Sequence, residues 1–201
     1  MNVCVYGSAS LDLADIYYEK TEHLGETLGK RGHNLVFGGG ANGMMGAAAR
    51  GFKKAGAKIT GVAPSFFKVD GILYEKTDEM IYTDTMRQRK QKMDDLSDAF
   101  VVTPGGIGTF EEFFEIYTLL QLGQTSKPLA VYNVNDYFKY IKLALEDAAK
   151  QKFMPDNSLH LVKFFDKEDD VVDYIENHKA ENFDVLKYRS IELEKNQNLK
   201  R

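Results

Sequence analysis

The sequence predicts a single doubly wound α/β domain, in which helices cover both faces of a parallel β-sheet. Three observations lead to this prediction. Short apolar runs alternate with segments of helical periodicity along the chain, which is typical of a parallel sheet buried on both faces. Four of these runs end in a turn rich in glycine, serine or proline. The length of 201 residues suits one ordinary domain, and no linker or change of composition divides it.

The elements follow one another in a regular order. Each predicted strand is a short run of apolar residues, bounded by turn residues or by charged residues. The strands are expected at residues 2–7, 34–40, 58–64, 80–82, 99–103, 128–133 and 158–165. The helices between them are expected to end near Lys30 and to cover residues 43–56, 86–97, 109–122, 136–152 and 166–179. We therefore expect one domain over residues 1–180, followed by a polar extension at 181–201.

Composition argues against several classes of protein. The chain is 43% hydrophobic and 28% charged, as in soluble globular proteins. A formal charge of -4 shows no basic excess, so nucleic acid is not an expected partner. The sequence contains no leader pattern and no apolar run near the roughly 18 residues of a membrane span. Because Cys4 is the one cysteine, no disulfide forms within the chain, and the cytoplasm is the expected location. The four histidines are dispersed, so no metal site is expected.

Glycine turns are expected to gather at one edge of the sheet. The strand ends carry the turns "GSAS", "GGGANG", "GVAP" and "PGGIGT", and the first of these contains Ser8, a candidate substrate-binding residue. Ligands of open α/β sheets bind beyond the carboxyl ends of the strands. Glycine lets the backbone approach a ligand, and a helix N-terminus attracts phosphate. A tight turn explains any single glycine equally well, but their density favours a phosphate or nucleotide site.

A dinucleotide dehydrogenase is disfavoured by the same turns. Its fingerprint places G-x-G-x-x-G after the first strand and an acidic residue near the end of the second. Here the first turn reads "GSASLD", and the second strand ends in three glycines, Gly38 to Gly40.

Arg89 and Lys90 fall on the inward stripe of the helix predicted at residues 86–97. A spacing of 3.6 residues puts them on the face that carries Met86 and Met93. Because an unpaired buried cation is costly, an inward arginine indicates an anionic or polar ligand. A snorkelling side chain and a structural salt bridge explain the periodicity equally well.

Three glutamates crowd the start of the next helix. Glu111, Glu112 and Glu115 could simply complement the helix dipole, which contributes about 0.3–1 kcal/mol each. A carboxylate inside the site would repel a phosphate unless it reached past it to the neighbouring sugar. That arrangement suits a nucleotide, with its phosphate in the glycine turn and its ribose beside the helix.

Three motifs together resemble those of the LONELY GUY (LOG) family of cytokinin riboside 5'-monophosphate phosphoribohydrolases. "PGGIGTFEE" matches P-G-G-x-G-T-x-x-E, "MRQRK" is similar to the M-x-x-R-K element before it, and "FGGGANGMMG" is similar to the family's other glycine turn. The resemblance covers roughly residues 2–153. It implies a Rossmann-like fold, a homodimer, and cleavage of the N-glycosidic bond of a nucleoside 5'-monophosphate to a free base and ribose 5-phosphate.

The resemblance also assigns roles to individual residues. It implies that Arg89 and Glu112 are catalytic and that Lys90 stands beside them in the substrate site. The remaining substrate-binding positions that it implies are Gly105, Gly106, Gly108 and Thr109 in the phosphate turn, Thr118 further along the helix, and Gly39, Gly40 and Gly43 in the other glycine turn.

A mechanism without a metal or organic cofactor follows from these roles. Departure of the base builds positive charge on the ribose. Ionised Glu112 would stabilise that charge and activate water, while Arg89 would fix the substrate and hold Glu112. Glu111 and Glu115 remain helix-dipole residues in this hypothesis. The family's older label, lysine decarboxylase, has no support, because no pyridoxal site is evident.

The sequence differs from the family pattern in two places, and both leave the catalytic arginine intact. Arg87 and Gln88 stand where the family often has a histidine and an acidic residue or glutamine. The segment between Pro64 and Thr85 does not match, and we expect it to shape the base pocket. The alternative function is a non-catalytic nucleotide-binding or cofactor-carrier protein on the same fold.

Overall fold

A computed structural model describes residues 1–180 of the chain. The predicted polar extension at 181–201 lies outside the described residues. Seven parallel strands form one sheet in the order β4-β3-β2-β1-β5-β6-β7. The strands are β1 Asn2–Tyr6, β2 Asn34–Phe37, β3 Ile59–Pro64, β4 Glu79–Thr83, β5 Ala99–Val102, β6 Leu129–Tyr132 and β7 Lys163–Phe165.

Helices cover both faces of the sheet, which confirms the predicted fold class. The helices are α1 Asp15–Lys30, α2 Gly43–Lys54, α3 Met86–Leu96, α4 Ile107–Gln121, α5 Lys139–Lys150 and α6 Glu168–Asn177. One buried cluster joins the sheet to α1, α2 and α6, and includes Leu28, Phe52 and Val172. The other joins it to α3, α4 and α5, and includes Met93 and Phe113. None of the helices within residues 1–180 is long and apolar enough to cross a membrane.

The strand order reverses beside β1. From β1 the chain builds outward through β2, β3 and β4, and then returns to the other side of β1 with β5. The loops that follow β1 and β5 therefore leave the sheet in different directions and open a crevice between them. The two predicted turns "GSAS" and "PGGIGT" lie at this crevice.

Several element boundaries differ from the prediction by a few residues, and the causes of two differences are clear. The strand expected at residues 158–165 is shorter, because residues Asp156–Leu161 form a 3₁₀ helix directly after Pro155. The Tyr117 hydroxyl donates to the Ser158 carbonyl at 3.0 Å and holds this turn against α4. Helix α4 begins at Ile107, two residues earlier than expected, because extended Gly106 already serves as its N-cap.

Helices α1 and α2 are in backbone contact through glycines. A Cβ atom on Gly51 of α2 would lie 2.0 Å from the carbonyl oxygen of Glu22 and 2.7 Å from the amide nitrogen of Glu26. A Cβ atom on Gly25 of α1 would lie 2.5 Å from the carbonyl oxygen of Ala48. These glycines set the distance between the two helices on this face of the sheet.

Gly51→Ala is expected to destabilise the protein by about 1–3 kcal/mol, because the added methyl group overpacks backbone that cannot move aside. The same change inside an exposed helix normally stabilises by about 1 kcal/mol. Urea unfolding measures the difference. Gly108→Ala, in α4, is the control, because a Cβ atom there meets no heavy atom within 4 Å. Equal stability of Gly51→Ala and the wild type would show that the helices are not in close contact.

Candidate active site at the switch point

A cavity of about 530 Å³ opens at the carboxyl edge of the sheet, where the strand order reverses. It gathers residues from five separate segments of the chain, including most of those expected from the sequence. Its polar lining consists of Gly7, Ser8, Gly38, Gly40, Asn42, Arg89, Gly106, Gly108, Thr109, Glu111 and Glu112.

The N-terminus of α4 presents free backbone donors to this cavity. The first intrahelical hydrogen bond runs from the Phe110 amide to the Gly106 carbonyl at 3.0 Å. The amides of Ile107, Gly108 and Thr109 precede it, so they have no intrahelical acceptor. A Cβ atom on Gly106 or Gly108 would meet only open space. The protein's own packing therefore does not explain these two glycines, whereas a ligand lying close to the backbone would.

Gly105 brings the loop after β1 against the start of α4. A Cβ atom on Gly105 would lie 2.1 Å from the Thr109 hydroxyl oxygen and 2.9 Å from the Ser8 amide nitrogen. The Ser8 amide donates to the Pro104 carbonyl at 3.1 Å. Gly105 does not line the cavity, but its lack of a side chain lets Ser8 and Thr109, which do line it, lie close together.

Arg89 is buried in α3 and reaches three parts of the site. Its Nε donates to the Val62 carbonyl at 3.2 Å, and its Nη1 donates to Glu112 Oε1 at 2.8 Å. Its other terminal nitrogen lies over Gly38, where a Cβ atom would be only 1.9 Å away. The sequence left open whether Arg89 binds a ligand, snorkels to solvent or forms a salt bridge. The structure shows a buried salt bridge, in which 8% of the Arg89 side chain and 10% of the Glu112 side chain are exposed.

Burial raises the pKa of Glu112 above its ordinary value of 4.5. The charge and hydrogen bond of Arg89 act in the opposite direction, and the charge of Glu111 adds to the rise. Burial prevails because water is almost absent around the carboxylate. Glu112 is therefore a stronger base than an exposed glutamate.

Lys90 neutralises the remaining acids at the rim of the cavity. Its ammonium group pairs with Glu111 and, at 2.7 Å, with Glu115. The prediction that these two glutamates serve the helix dipole is wrong, because α4 begins at Ile107 and has no acid in its first turn. The dipole effect fades beyond that turn. Lys90 itself does not line the cavity.

Of the other predicted positions, some line the cavity and some do not. Gly40 lines the cavity, whereas Gly39 and Gly43 do not. Gly43 has a φ of +60°, and a Cβ atom there would lie 2.2 Å from the Ser8 carbonyl oxygen. Thr118 lies outside the cavity, where its hydroxyl donates to the Phe114 carbonyl at 2.7 Å. The structure does not bring Thr118 to the other site residues within one chain.

Apolar side chains form much of the remaining lining, which is called the apolar wall. It consists of Met45, Phe67, Ile72, Leu73 and Met86. Three of these come from the segment between Pro64 and Thr85, which is fastened to the second glycine turn. The Ala41 amide donates to the Ile72 carbonyl at 2.9 Å, and the Tyr74 amide donates to the Gly39 carbonyl at 2.8 Å. The sequence did not single out these apolar residues individually.

Aromatic and cysteine residues near the site are largely structural. Phe113 and Tyr117 are buried against the sheet, while Phe114 is 39% exposed. Cys4 is fully buried, and burial raises the pKa of its thiol to about 12. It therefore stays protonated and is a poor nucleophile.

The fold and the cavity define the class of protein: an α/β protein with a ligand-sized cavity at the switch point of a parallel sheet. Comparison with known proteins identifies the family. The family model described as possible lysine decarboxylase matches residues 45–175, more than half of the chain. A cytokinin riboside 5'-monophosphate phosphoribohydrolase of Arabidopsis thaliana is 31% identical over 193 residues, which cover 96% of this chain and 85% of that protein. A probable enzyme of the same name from Oryza sativa subsp. japonica is 30% identical over 192 residues, covering 96% and 79%. The chain belongs to the LOG family, as its motifs predict.

Solved structures confirm the Rossmann-like fold. The molybdenum cofactor binding protein from Rippkaea orientalis matches with a TM-score of 0.67 and 21% identity, over 87% of this chain and 94% of that one. The Moco carrier protein from Chlamydomonas reinhardtii matches with a TM-score of 0.65 and 22% identity, over the same shares. At this identity the likeness concerns the fold alone.

Arg89→Met is expected to lower the free energy of unfolding by about 3–5 kcal/mol at pH 7, because it leaves the Glu112 carboxylate buried without a partner. The double variant Arg89→Met/Glu112→Leu should recover most of this loss, since it removes both charges. Urea unfolding of the two variants tests the pair. Arg87→Met, on the exposed face of the same helix, serves as the control and should change stability by less than about 0.5 kcal/mol. Additive losses in the double variant would contradict the coupling.

Proposed function

We propose that the protein hydrolyses the N-glycosidic bond of a nucleoside 5'-monophosphate and releases a free base and ribose 5-phosphate. The observation that carries this proposal is Glu112. Its buried carboxylate is held by Arg89 at 2.8 Å and lines the same cavity as the unpaired amides of α4. The relatives named above, which are phosphoribohydrolases, support the same conclusion.

The 5'-phosphate would bind at the start of α4. The amides of Ile107, Gly108 and Thr109 and the positive end of the helix dipole together favour an anion. The open space over Gly106 and Gly108 lets phosphate oxygens approach the backbone. Thr109 and Ser8 add hydroxyl groups from the two sides of the crevice. A nucleoside without the phosphate would lose these contacts.

The ribose would then lie beside Glu112, one turn further along α4. The C1'–N bond breaks with its electrons going to the base, which takes up a proton from solvent. A water oxygen forms the new bond to C1', and Glu112 accepts the proton of that water. While ionised, Glu112 also stabilises the positive charge that develops on the ribose. General-base assistance of this kind is typically worth about 10²–10⁴-fold.

The base would lie against the apolar wall formed by Met45, Phe67, Ile72, Leu73 and Met86. This wall suits an adenine that carries an apolar group on N6 better than it suits adenine itself. Each buried methylene contributes about 0.8 kcal/mol. We therefore place a cytokinin riboside 5'-monophosphate ahead of AMP as substrate.

A non-catalytic nucleotide or cofactor carrier is the second candidate. It is favoured by the fold shared with the molybdenum cofactor binding and carrier proteins. Such a carrier requires the glycine turns and the amides of α4. It has no use for a desolvated carboxylate beside the sugar, so the pair of Arg89 and Glu112 favours the hydrolase.

A cytoplasmic homodimer is part of the proposal. The reduced, buried Cys4 fits a cytoplasmic protein. Because Thr118 is outside the cavity of its own chain, the substrate contact that the family motif implies for it would need a second subunit. Partly exposed Phe114, four residues earlier on α4, offers an apolar contact for that subunit.

Glu112→Gln is expected to reduce base release by about 10²–10⁴-fold, because the amide cannot accept the proton of the attacking water. Wild-type protein and variant are incubated with AMP and with N6-isopentenyl AMP, and the free base is followed by chromatography. The wild type should release base faster from the isopentenyl substrate. Glu115→Gln, which removes an acid outside the cavity, is the control and should retain activity. Bound nucleotide that stays intact with the wild type would favour the carrier.

Activity is expected to rise with pH through a midpoint above 4.5, because Glu112 must be ionised to act and burial raises its pKa. Glu111→Gln should move this midpoint to lower pH, since it removes the neighbouring negative charge that helps to raise the pKa of Glu112. The measurement is kcat/KM against pH for both proteins. A shift to higher pH in the variant would contradict the assignment of Glu112 as the base.

A further inference from the structure

A tyrosine outside the cavity holds the turn at which the phosphate would bind. The Tyr137 hydroxyl donates a hydrogen bond to the Gly105 carbonyl at 2.6 Å. Tyr137 lies between β6 and α5, whereas Gly105 lies between β5 and α4. The contact therefore joins the loops of two neighbouring strands at the carboxyl edge of the sheet. The sequence did not single out Tyr137.

Three aromatic rings fix the position of Tyr137. Its ring centroid lies 6.2 Å from that of Tyr17 in α1, 6.4 Å from that of Phe110 in α4 and 5.0 Å from that of Phe138. Partial burial raises the pKa of the Tyr137 hydroxyl above its ordinary value. The hydroxyl consequently keeps its proton at neutral pH and acts as a donor.

The backbone turns sharply just before Tyr137, at two residues with positive φ. Asn135 and Asp136 have φ values of 53° and 56°, in the left-handed region that among non-glycine residues Asn and Asp adopt most readily. Asn133 holds this bend from both sides. Its Oδ1 accepts from the Phe138 amide at 2.8 Å, and its Nδ2 donates to Asp136 Oδ1 at 3.0 Å.

The geometry of the peptide group links Tyr137 to the cavity. The Gly105 carbonyl and the Gly106 amide belong to one planar, trans peptide, so they point in opposite directions. When Tyr137 holds the carbonyl on one side, the Gly106 N–H is directed to the other. Gly106 lines the cavity, and a Cβ atom there would meet no heavy atom within 4 Å, so the packing of the protein leaves this peptide accessible to a ligand.

We propose that Tyr137 is a positioning residue that orients the Gly105–Gly106 peptide, so that the Gly106 N–H donates to a phosphate group bound at the start of α4. This inference rests on the proposed function for the identity of the anion as a 5'-phosphate. Tyr137 does not touch the reacting atoms. It acts on phosphate affinity and leaves the chemistry of Glu112 unchanged.

Tyr137→Phe is the test, because it removes only the hydroxyl and keeps the ring contacts. Calorimetry measures binding of ribose 5-phosphate, inorganic phosphate and adenine to the variant and the wild type. Affinity for the two phosphates should fall about three- to tenfold, the size of one hydrogen bond, and affinity for adenine should stay the same. In the base-release assay KM should rise by a similar factor with kcat nearly unchanged. Tyr140→Phe, on a side chain that is 78% exposed, is the matched control and should change neither.

The outcomes separate this inference from the proposed function. Weaker phosphate binding without base release by the wild type would support the positioning role and overturn the hydrolase. Unchanged phosphate binding in a variant with wild-type melting temperature would overturn the positioning role and leave the hydrolase intact. An equal loss of adenine and phosphate affinity would show a general structural role instead. A wild type that binds neither phosphate would overturn both proposals.

Discussion

The buried ion pair between Arg89 and Glu112 is the interaction on which the arrangement of the site depends. Removing two charges from water costs several kcal/mol each, so both must be fully partnered. Arg89 meets this requirement through Glu112 and the Val62 carbonyl, which fixes α3 relative to α4 and β3. It also requires a glycine at position 38, since any side chain there would collide with the guanidinium. One pair thus sets the positions of four elements around the cavity.

Around this pair the cavity divides into regions of different chemistry. Backbone amides without an intrahelical acceptor lie at the start of α4, the ion pair lies one turn further along the helix, and apolar side chains form much of the remaining lining. A nucleoside monophosphate has the same order of groups, from phosphate through sugar to base. Lys90 contributes from outside by pairing with Glu111 and Glu115. These two acids would otherwise repel a phosphate bound in the cavity, and the charge of Lys90 itself acts to lower the pKa of Glu112.

The sequence predicted the parts of this site that depend on local pattern. Helical spacing placed Arg89 on a buried face, and the rule for parallel strands placed the glycine turns at one edge. Residues whose role depends on tertiary contacts could not be found in this way. The side chains of Phe67 and Leu73 reach the cavity only because their segment pairs with the second glycine turn. Periodicity placed Lys90 beside Arg89, yet Lys90 forms ion pairs with Glu111 and Glu115 and does not line the cavity.

The glycines show why the simplest explanation, that they merely form turns, is insufficient. Gly38 and Gly51 have neighbours that exclude a side chain, so the packing of the protein accounts for them. Gly106 and Gly108 have no such neighbour, and Gly106 has a φ of -88°, which any residue can adopt. Glycine raises the entropy of the unfolded chain and so lowers stability at these positions. What a glycine provides there is room for a ligand against the backbone, and in this chain that room lies one helical turn from a buried carboxylate.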